Sequence, residues 1–402
     1  MTRKERSGII ILLGALSALG PFSIDMYLPG FPSIAASLKT SVAVVGYSLT
    51  SYFIGISLGQ LIYGPLTDRF GRKIPLLVGL GLYLVAAAAC ALSPSIAWLV
   101  ITRFLMALGV CVGMVASRAI VRDLFPVNEI AGVFSAFMLI IAVSPMLAPS
   151  AGGFVASHLG WRFIFVILVI FAAILIVTVA LLLSESKRPD PMVSMRPGSI
   201  IAQYITVAKN RQFLVYAIVS GLGSAGLFAY ISDSSYVFMQ LFGLSQAQFG
   251  WAFSLNAAGL IIGSQVNRFL LRKFNSRQIT GVCVRAQVII GAVLVAGAVL
   301  NLTPMGGMIA LLIAFLFFTG ILNPNAAALA LEPFTSHAGS ASALLGSIQM
   351  ALGAIASGVV SSLVHHNAIP MAATMWSSAL LGVGLLALMR RAERAEGTQA
   401  AG

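Results

Sequence analysis

Charge is what this sequence has least of. Only 9% of its 402 residues are Asp, Glu, Lys or Arg, where a soluble domain carries about 25%. Hydrophobic residues make up 59% of the chain, and the mean hydropathy is +0.99. A water-facing globule would have too little polar surface to cover itself, so most of the outside is expected to face lipid. Acidic residues are scarcest, 11 against 24 Lys and Arg, which leaves a net charge of +13. Cysteine is also rare: Cys90, Cys111 and Cys283 lie far apart in apolar stretches, and no pair has metal or redox spacing. His158, His337, His365 and His366 sit at loop or helix-end positions and form no H-E-x-x-H motif, so neither a metal site nor membrane-protease chemistry is expected.

Apolar runs of spanning length are abundant. At about 20 residues per crossing, the runs predict spans near 8–29, 41–63, 74–93, 96–120, 131–156 and 161–183. A second set falls near 212–236, 247–270, 279–300, 305–328, 340–363 and 369–389. The fold class is therefore an all-α membrane protein of twelve helices. The basic N-terminus runs into the first apolar stretch without a small-residue cleavage site, so the first helix is expected to stay uncleaved.

The basic residues gather at span ends, as in Arg69, Arg72 and Lys73, Arg272, Lys273 and Arg277, or Arg390, Arg391 and Arg394. That distribution argues against nucleic-acid binding. With the N-terminus inside, Lys39 and Arg162 alone fall on the outer side and Arg103 lies within a span. Both termini are thus expected in the cytoplasm of a cell whose inner (plasma) membrane holds the protein. The longest polar stretch, 184–210, contains Pro189, Pro191 and Pro197 and divides the chain. The expected organisation is a six-helix bundle over 1–183, a linker over 184–210 with a short surface helix, a second bundle over 211–390, and a tail over 391–402.

The halves echo each other. Gly55-x-x-x-Gly59 in the second span matches Gly259-x-x-x-Gly263 in the eighth, and Asp25 has an approximate counterpart in Asp233. Such repeats, with a site at their interface, are usual in secondary transporters. Gly55-Ile56-Ser57-Leu58-Gly59 also fits a serine-nucleophile pattern, but it lies inside an apolar helix without the required strand-to-helix turn. Gly64 to Lys73 lacks the glycine spacing of a phosphate-binding loop, so direct drive by ATP is not expected.

Three stretches carry a family resemblance. Gly64-Pro65-Leu66-Thr67-Asp68-Arg69-Phe70-Gly71-Arg72-Lys73, after the second span, resembles the major facilitator signature G-x-L-x-D-R-x-G-R-K at every defined position. Pro145-Met146-Leu147-Ala148-Pro149-Ser150-Ala151-Gly152-Gly153 is similar to the fifth-span element of drug:proton antiporters, with Ala148 in place of a glycine. Ile24-Asp25-Met26-Tyr27-Leu28-Pro29 resembles the opening of the Bcr/CflA group, exporters of bicyclomycin and chloramphenicol. Departures occur too: Met106 stands where the fourth-span element has Gln, and Asp233 where a neutral residue is expected. The resemblance implies two pseudo-symmetric six-helix bundles working by alternating access. Its loop implies a gate of Gly64, Asp68, Arg69, Gly71, Arg72 and Lys73, with Arg118 and Arg122 as expected partners of Asp68.

Charges within spans cost about 2.5–3.5 kcal/mol each on insertion scales and need a reason. Asp25, Arg103 and Asp233 stand out. Desolvation and a nearby guanidinium act in opposite directions on a carboxylate's proton affinity. Asp25 is therefore the expected proton site and Arg103 its tuning partner, unless Asp25 is an interfacial residue wetted from outside. Asp233 is a second proton site, a counter-charge for cationic substrates or a helix cap. Adaptable apolar and aromatic groups with sparse hydrogen-bonding residues suit a substrate cavity. Tyr27, Tyr47, Tyr52, Met106, Met138, Tyr230, Tyr236, Asn256, Asn323 and Gln349 fit that description, although lipid-facing or packing roles suit them equally.

The function expected is proton-coupled antiport exporting small apolar or amphipathic compounds, with no cofactor and the proton gradient as drive. An uptake or metabolite carrier of the same fold is the alternative. A membrane enzyme or channel lacks both a catalytic constellation and a filter sequence. One chain supplies both halves of a central pathway, so a monomer is expected.

Overall fold

The computed structural model describes residues 3–191, 195–334, 338–363 and 367–400, and His337, His365 and His366 lie outside them. Fourteen α-helices account for most of these residues, and no strand occurs among them. The first part of the chain forms α1 (Arg3–Asp25), α2 (Phe31–Ser37), α3 (Val42–Arg69), α4 (Lys73–Ala91), α5 (Ile96–Leu124), α6 (Val127–His158) and α7 (Arg162–Leu182). A short α8 (Pro197–Ala208) leads into α9 (Arg211–Ser235), α10 (Gln246–Leu270), α11 (Ser276–Leu300), α12 (Met305–Leu331), α13 (Ala338–Ser362) and α14 (Ile369–Ala400).

Ten stretches of helix among the described residues are long and apolar enough to cross a membrane. With α6 (32 residues) and α10 (25 residues), twelve helices have spanning length, one at each expected place. Local chemistry sets their starts. Ser41 and Ser95 accept from the backbone N–H groups of Val44 and Trp98, and Asn275 and Gln278 form a reciprocal capping box on α11. The largest boundary difference concerns the first span. The apolar run continues to residue 29, yet α1 ends at Asp25 and gives way to a 3-10 turn, Leu28–Gly30, and then α2. Pro29 and Pro32 explain this, since neither can donate to an α-helical ladder. Asp25 is therefore the last residue of α1, inside a spanning stretch that continues through the turn and α2 to Ser37.

By their contacts the residues form two units, Met1–Gln203 with Ser234–Ser254, and Tyr204–Asp233 with Leu255–Gly402. In the first unit α5 is central and packs on α3, α4 and α1. Gly55 and Gly59 allow α3 to approach α5 closely. A Cβ on Gly55 would lie 2.7 Å from both Ala107 Cβ and Phe104 O, and one on Gly59 2.8 Å from Cys111 Cβ. Ser57 sits buried within the same helix. In the second unit α11 packs against α12 and α14. Gly259 and Gly263 of α10 meet the backbone carbonyls of Ile313 and Phe317 in α12. The repeated Gly-x-x-x-Gly pairs thus perform the same task twice, bringing the second helix of each half against the fourth.

The segment Ser234–Ser254 departs from plain helix. A π-helical stretch, Tyr236–Leu241, follows α9, and Gly243 turns the chain with a φ of +69°. The first helix of each half thus loses its regular α-geometry at the same end, just beyond its acidic residue.

Candidate functional site

The most buried charge in the first unit is Arg103. Its side chain has no exposed surface and stands among groups from several helices. Nη1 donates to Ser23 O at 2.9 Å and lies 3.8 Å from Met106 Sδ. The guanidinium carbon lies 4.2 Å from the ring centre of Tyr52, 4.5 Å from that of Tyr27 and 6.0 Å from that of Phe165. Nε and Nη2 are buried without a hydrogen-bond partner among the described residues, so aromatic faces take the place of a counter-ion. Hydroxyls fix these rings. Ser48 donates to Val45 O, which leaves Tyr27 to donate to Ser48 Oγ at 2.7 Å. Ser23 donates to Leu19 O, which leaves Tyr83 to donate to Ser23 Oγ at 2.7 Å. Tyr52 reaches Gly20 O at 3.3 Å. One arginine therefore gathers α1, α3, α4, α5 and α7.

Asp25 is close in sequence to this cluster but is not paired with it. Among the described residues Arg103 makes no ion pair, and the Asp25 carboxyl has neither hydrogen bond nor ion pair. At 4% exposure Asp25 is largely buried within the first unit. The expected Asp25–Arg103 partnership therefore has no direct contact behind it among the described residues. Arg103 points to the Ser23 carbonyl and two tyrosine rings, and the chain turns away from α-geometry directly after Asp25. Asp233, in the second unit, is 1% exposed, and Ser232, Ser234 and Ser235 around it are buried as well. A wet, solvated helix end is thereby excluded for this stretch. Ser232 donates to Ser357 Oγ at 2.8 Å, and Ser235 to Leu28 O at 2.7 Å.

The charged loop after α3 forms a second cluster. Asp68 Oδ1 accepts from Arg72 Nη1 at 3.0 Å and from Lys187 Nζ at 2.9 Å. Arg72 is 7% exposed; it also donates to Thr67 Oγ1 and, through Nε, to Asp123 Oδ2, each at 3.0 Å. Ser186 donates to the same Asp123 oxygen at 3.1 Å. The carboxylate of Glu185 accepts from the backbone N–H groups of Arg72 (2.7 Å) and Lys73 (3.2 Å), at the exposed start of α4. Gly71, with a φ of +83°, brings the backbone against that carboxylate, where a Cβ would lie 2.7 Å from Glu185 Oε2. Gly64 accepts from Thr67, Arg69 is half-buried, and Lys73 Nζ reaches Ala180 O.

The expected partners of Asp68 differ from the observed ones. Arg118 and Arg122 are exposed on α5 and form no ion pair among the described residues. Arg72, one helical turn from Asp68, and Lys187 of the linker take their place. Glu185, Ser186 and Lys187 were not singled out by sequence, because a carboxylate and a lysine in a polar linker carry no local pattern. The available signal was their position directly after the sixth span.

The α6 element is a packing surface within the first unit. Pro145 and Pro149 lie inside α6. Gly152 meets the backbone of Met26, and Gly153 that of Gln246. From the other side Gly250 approaches Ser150, with 2.8 Å between a Cβ there and Ser150 Cα, and Ser254 donates to Met146 O at 2.6 Å. The element thus holds the start of α10 and the turn after α1 by backbone contact.

The expected cavity residues separate into groups. Tyr27, Tyr52 and Met106 belong to the Arg103 cluster, whereas Tyr47 is 38% exposed. Met138 lies in α6 with a side chain outside the described set. Asn256 donates to Tyr230 Oη at 3.2 Å. Gln349 donates to Ser220 Oγ (2.7 Å) and Asn323 to Ser224 Oγ (3.4 Å), one turn apart on α9. Tyr236 opens the π-helical stretch and is half-buried. A polar seam on α9 thus joins α10, α12 and α13.

The Major Facilitator Superfamily model matches residues 13–358. The chain is 37% identical to the uncharacterized MFS-type transporter YdgK of Bacillus subtilis over 387 residues, which cover 95% of each. It is 30% identical to a bicyclomycin resistance protein homolog of Haemophilus influenzae, covering 95% of this chain and 96% of that one. Among solved structures, a bacterial homologue of the human lysosomal transporter Spinster superposes with a TM-score of 0.73 at 15% identity, covering 97% of this chain and 98% of that one. That likeness shows the fold: twelve membrane helices in two pseudo-symmetric bundles. The chain belongs to the major facilitator superfamily and, within it, to the Bcr/CflA-like drug-resistance group.

Proposed function

We propose that this transporter exports small apolar or amphipathic compounds, of the bicyclomycin and chloramphenicol kind, in exchange for protons by alternating access. The observation that carries the coupling is Asp25, a carboxyl with 4% exposure and no partner among the described groups. Ionising such a group leaves a charge that nothing beside it compensates, so a proton that comes and goes there has large energetic leverage. Arg103 keeps a fixed positive charge in the same unit, held by rings rather than by a carboxylate. Asp233 is a second buried carboxyl for either a proton or a cationic substrate. The export direction and the compound class rest on the name of the Haemophilus relative and on the family resemblance. The loop carrying Asp68 and Arg72 faces the cytoplasm in this reading, as do both termini, and the working unit is a monomer in the inner membrane.

Everted vesicles containing the protein, energised and loaded with a pH dye, test this. Adding chloramphenicol-like or bicyclomycin-like compounds should release protons from wild-type vesicles and not from Asp25→Asn vesicles. A response of equal size in Asp25→Asn would move the proton site elsewhere. No pH response to any compound would favour a facilitator or a metabolite carrier.

A further inference from the structure

We propose a binding site for the phosphate group of an anionic phospholipid, formed by Arg277, Arg285 and Arg390 where α11 and α14 pack together. Arg285 lies on a lipid-facing side of α11. Val282 and Ile289, one turn before and one turn after it on the same face, are 55% and 66% exposed. A guanidinium there must escape the hydrocarbon, and it does so by folding back along its own helix. Nε donates to the Gly281 carbonyl at 2.8 Å. From α14, Arg390 reaches the same spot. A Cβ on Gly281 would lie 2.9 Å from Nη2 of Arg390 and 3.9 Å from Nη2 of Arg285. The missing side chain of Gly281 is what lets the two guanidinium groups converge.

Two guanidinium groups converging on one glycine repel each other, and an anion in reach of both offsets that repulsion. Neither Arg285 nor Arg390 forms an ion pair among the described residues. Arg390 also borders a small pocket that Tyr216, Arg277, Leu386 and Met389 complete. Planar, forked donors suit a phosphate, which accepts from several directions at once. The exposed apolar strip beside Arg285 then offers a path for the acyl chains. Basic clusters at the ends of membrane helices recognise anionic headgroups in this way. The site belongs wholly to the second unit and is distinct from Asp25, Arg103 and the Asp68 loop.

Delipidated full-length protein would be assayed for lipid retention by native mass spectrometry and for thermal stability, with phosphatidylglycerol, with phosphatidylcholine and with millimolar inorganic phosphate. Wild type should retain phosphatidylglycerol preferentially and gain stability from it. Arg285→Gln and Arg390→Gln should each reduce that preference about fivefold, whereas Arg285→Lys should keep most of it. Both positions are exposed, so the variants report on binding rather than on folding. Equal retention of the two lipids by wild type, or a preference unchanged in Arg285→Gln/Arg390→Gln, would overturn the proposal. Inorganic phosphate that stabilises wild type as well as phosphatidylglycerol does, and displaces it, would overturn the lipid assignment in favour of a soluble phosphate.

Discussion

Lys187 Nζ lies 2.9 Å from Asp68 Oδ1, so the first charged residues after the sixth span are tied to the loop after the second. Asp68 is shared with Arg72, whose side chain also spans Thr67 and Asp123. The lysine and the aspartate are 40% and 41% exposed, and their attraction is screened by solvent. A contact of that kind contributes at most about 1 kcal/mol to stability. That strength suits the proposed gating role, in which the contact would open during each cycle.

Asp68→Asn and Lys187→Gln are accordingly expected to leave thermal stability nearly unchanged while lowering transport several-fold. If the pair acts as one latch, the double variant should be no worse than the more affected single one. Transport rates in proteoliposomes and a double-mutant cycle check this. Additive losses would mean that the two residues act separately.

Glu185→Gln is predicted to lose stability. Its carboxylate serves two exposed N–H groups at the start of α4, and removing such a cap costs about 1 kcal/mol. Gly71→Ala should cost at least as much, because it adds a Cβ at a positive φ directly against that carboxylate. Thermal unfolding in detergent checks both, and an unchanged midpoint for Glu185→Gln would exclude the cap.

Arg103 tests the aromatic cage. Arg103→Lys keeps the charge but presents a point charge where a planar group now lies between rings. Loss of stability on the order of 2 kcal/mol is expected for Tyr52→Leu, from the desolvated cation–π contact and the ring's packing. Arg103→Lys should not behave as wild type in either stability or transport. Equivalence in both assays would show that charge alone matters at this position.

The glycines make opposite predictions according to surroundings. Gly59→Val drives atoms into Cys111 and should destabilise by about 1–3 kcal/mol. Gly81, in α4, has open space within 4 Å of the point where a Cβ would stand, so Gly81→Ala should stabilise by about 0.5–1 kcal/mol. Both shifts are measurable as changes in unfolding midpoint.

Most of the fold was legible because lipid imposes a length and a composition on every span. The ends were less so. α3 continues to Arg69 and α5 to Leu124, past the apolar runs, because the charged residues there find partners in one another and in water. The chemistry of the loop at Gly64–Lys73 was legible in its residue types, but the identity of Asp68's partners was not. That depends on where a linker folds back, and nothing local in Ser184–Lys187 encodes it. Arg103 was recognisable as a costly charge within a span, yet Asp25 was the natural candidate for its partner. The solution adopted, three aromatic rings and a carbonyl, uses residues that look like ordinary core in a sequence. The convergence of Arg285 and Arg390 over Gly281 was equally hidden, because it joins positions more than a hundred residues apart.

The strap of Glu185, Ser186 and Lys187 also bears on where this chain can be divided. A cut after residue 183, at the end of the apolar run, would leave α4 without its carboxylate cap and Asp68 without its lysine. A first half prepared for co-expression with the second should therefore extend beyond Lys187, and a break placed between Arg188 and Pro197 would spare every linker contact described for Glu185, Ser186 and Lys187.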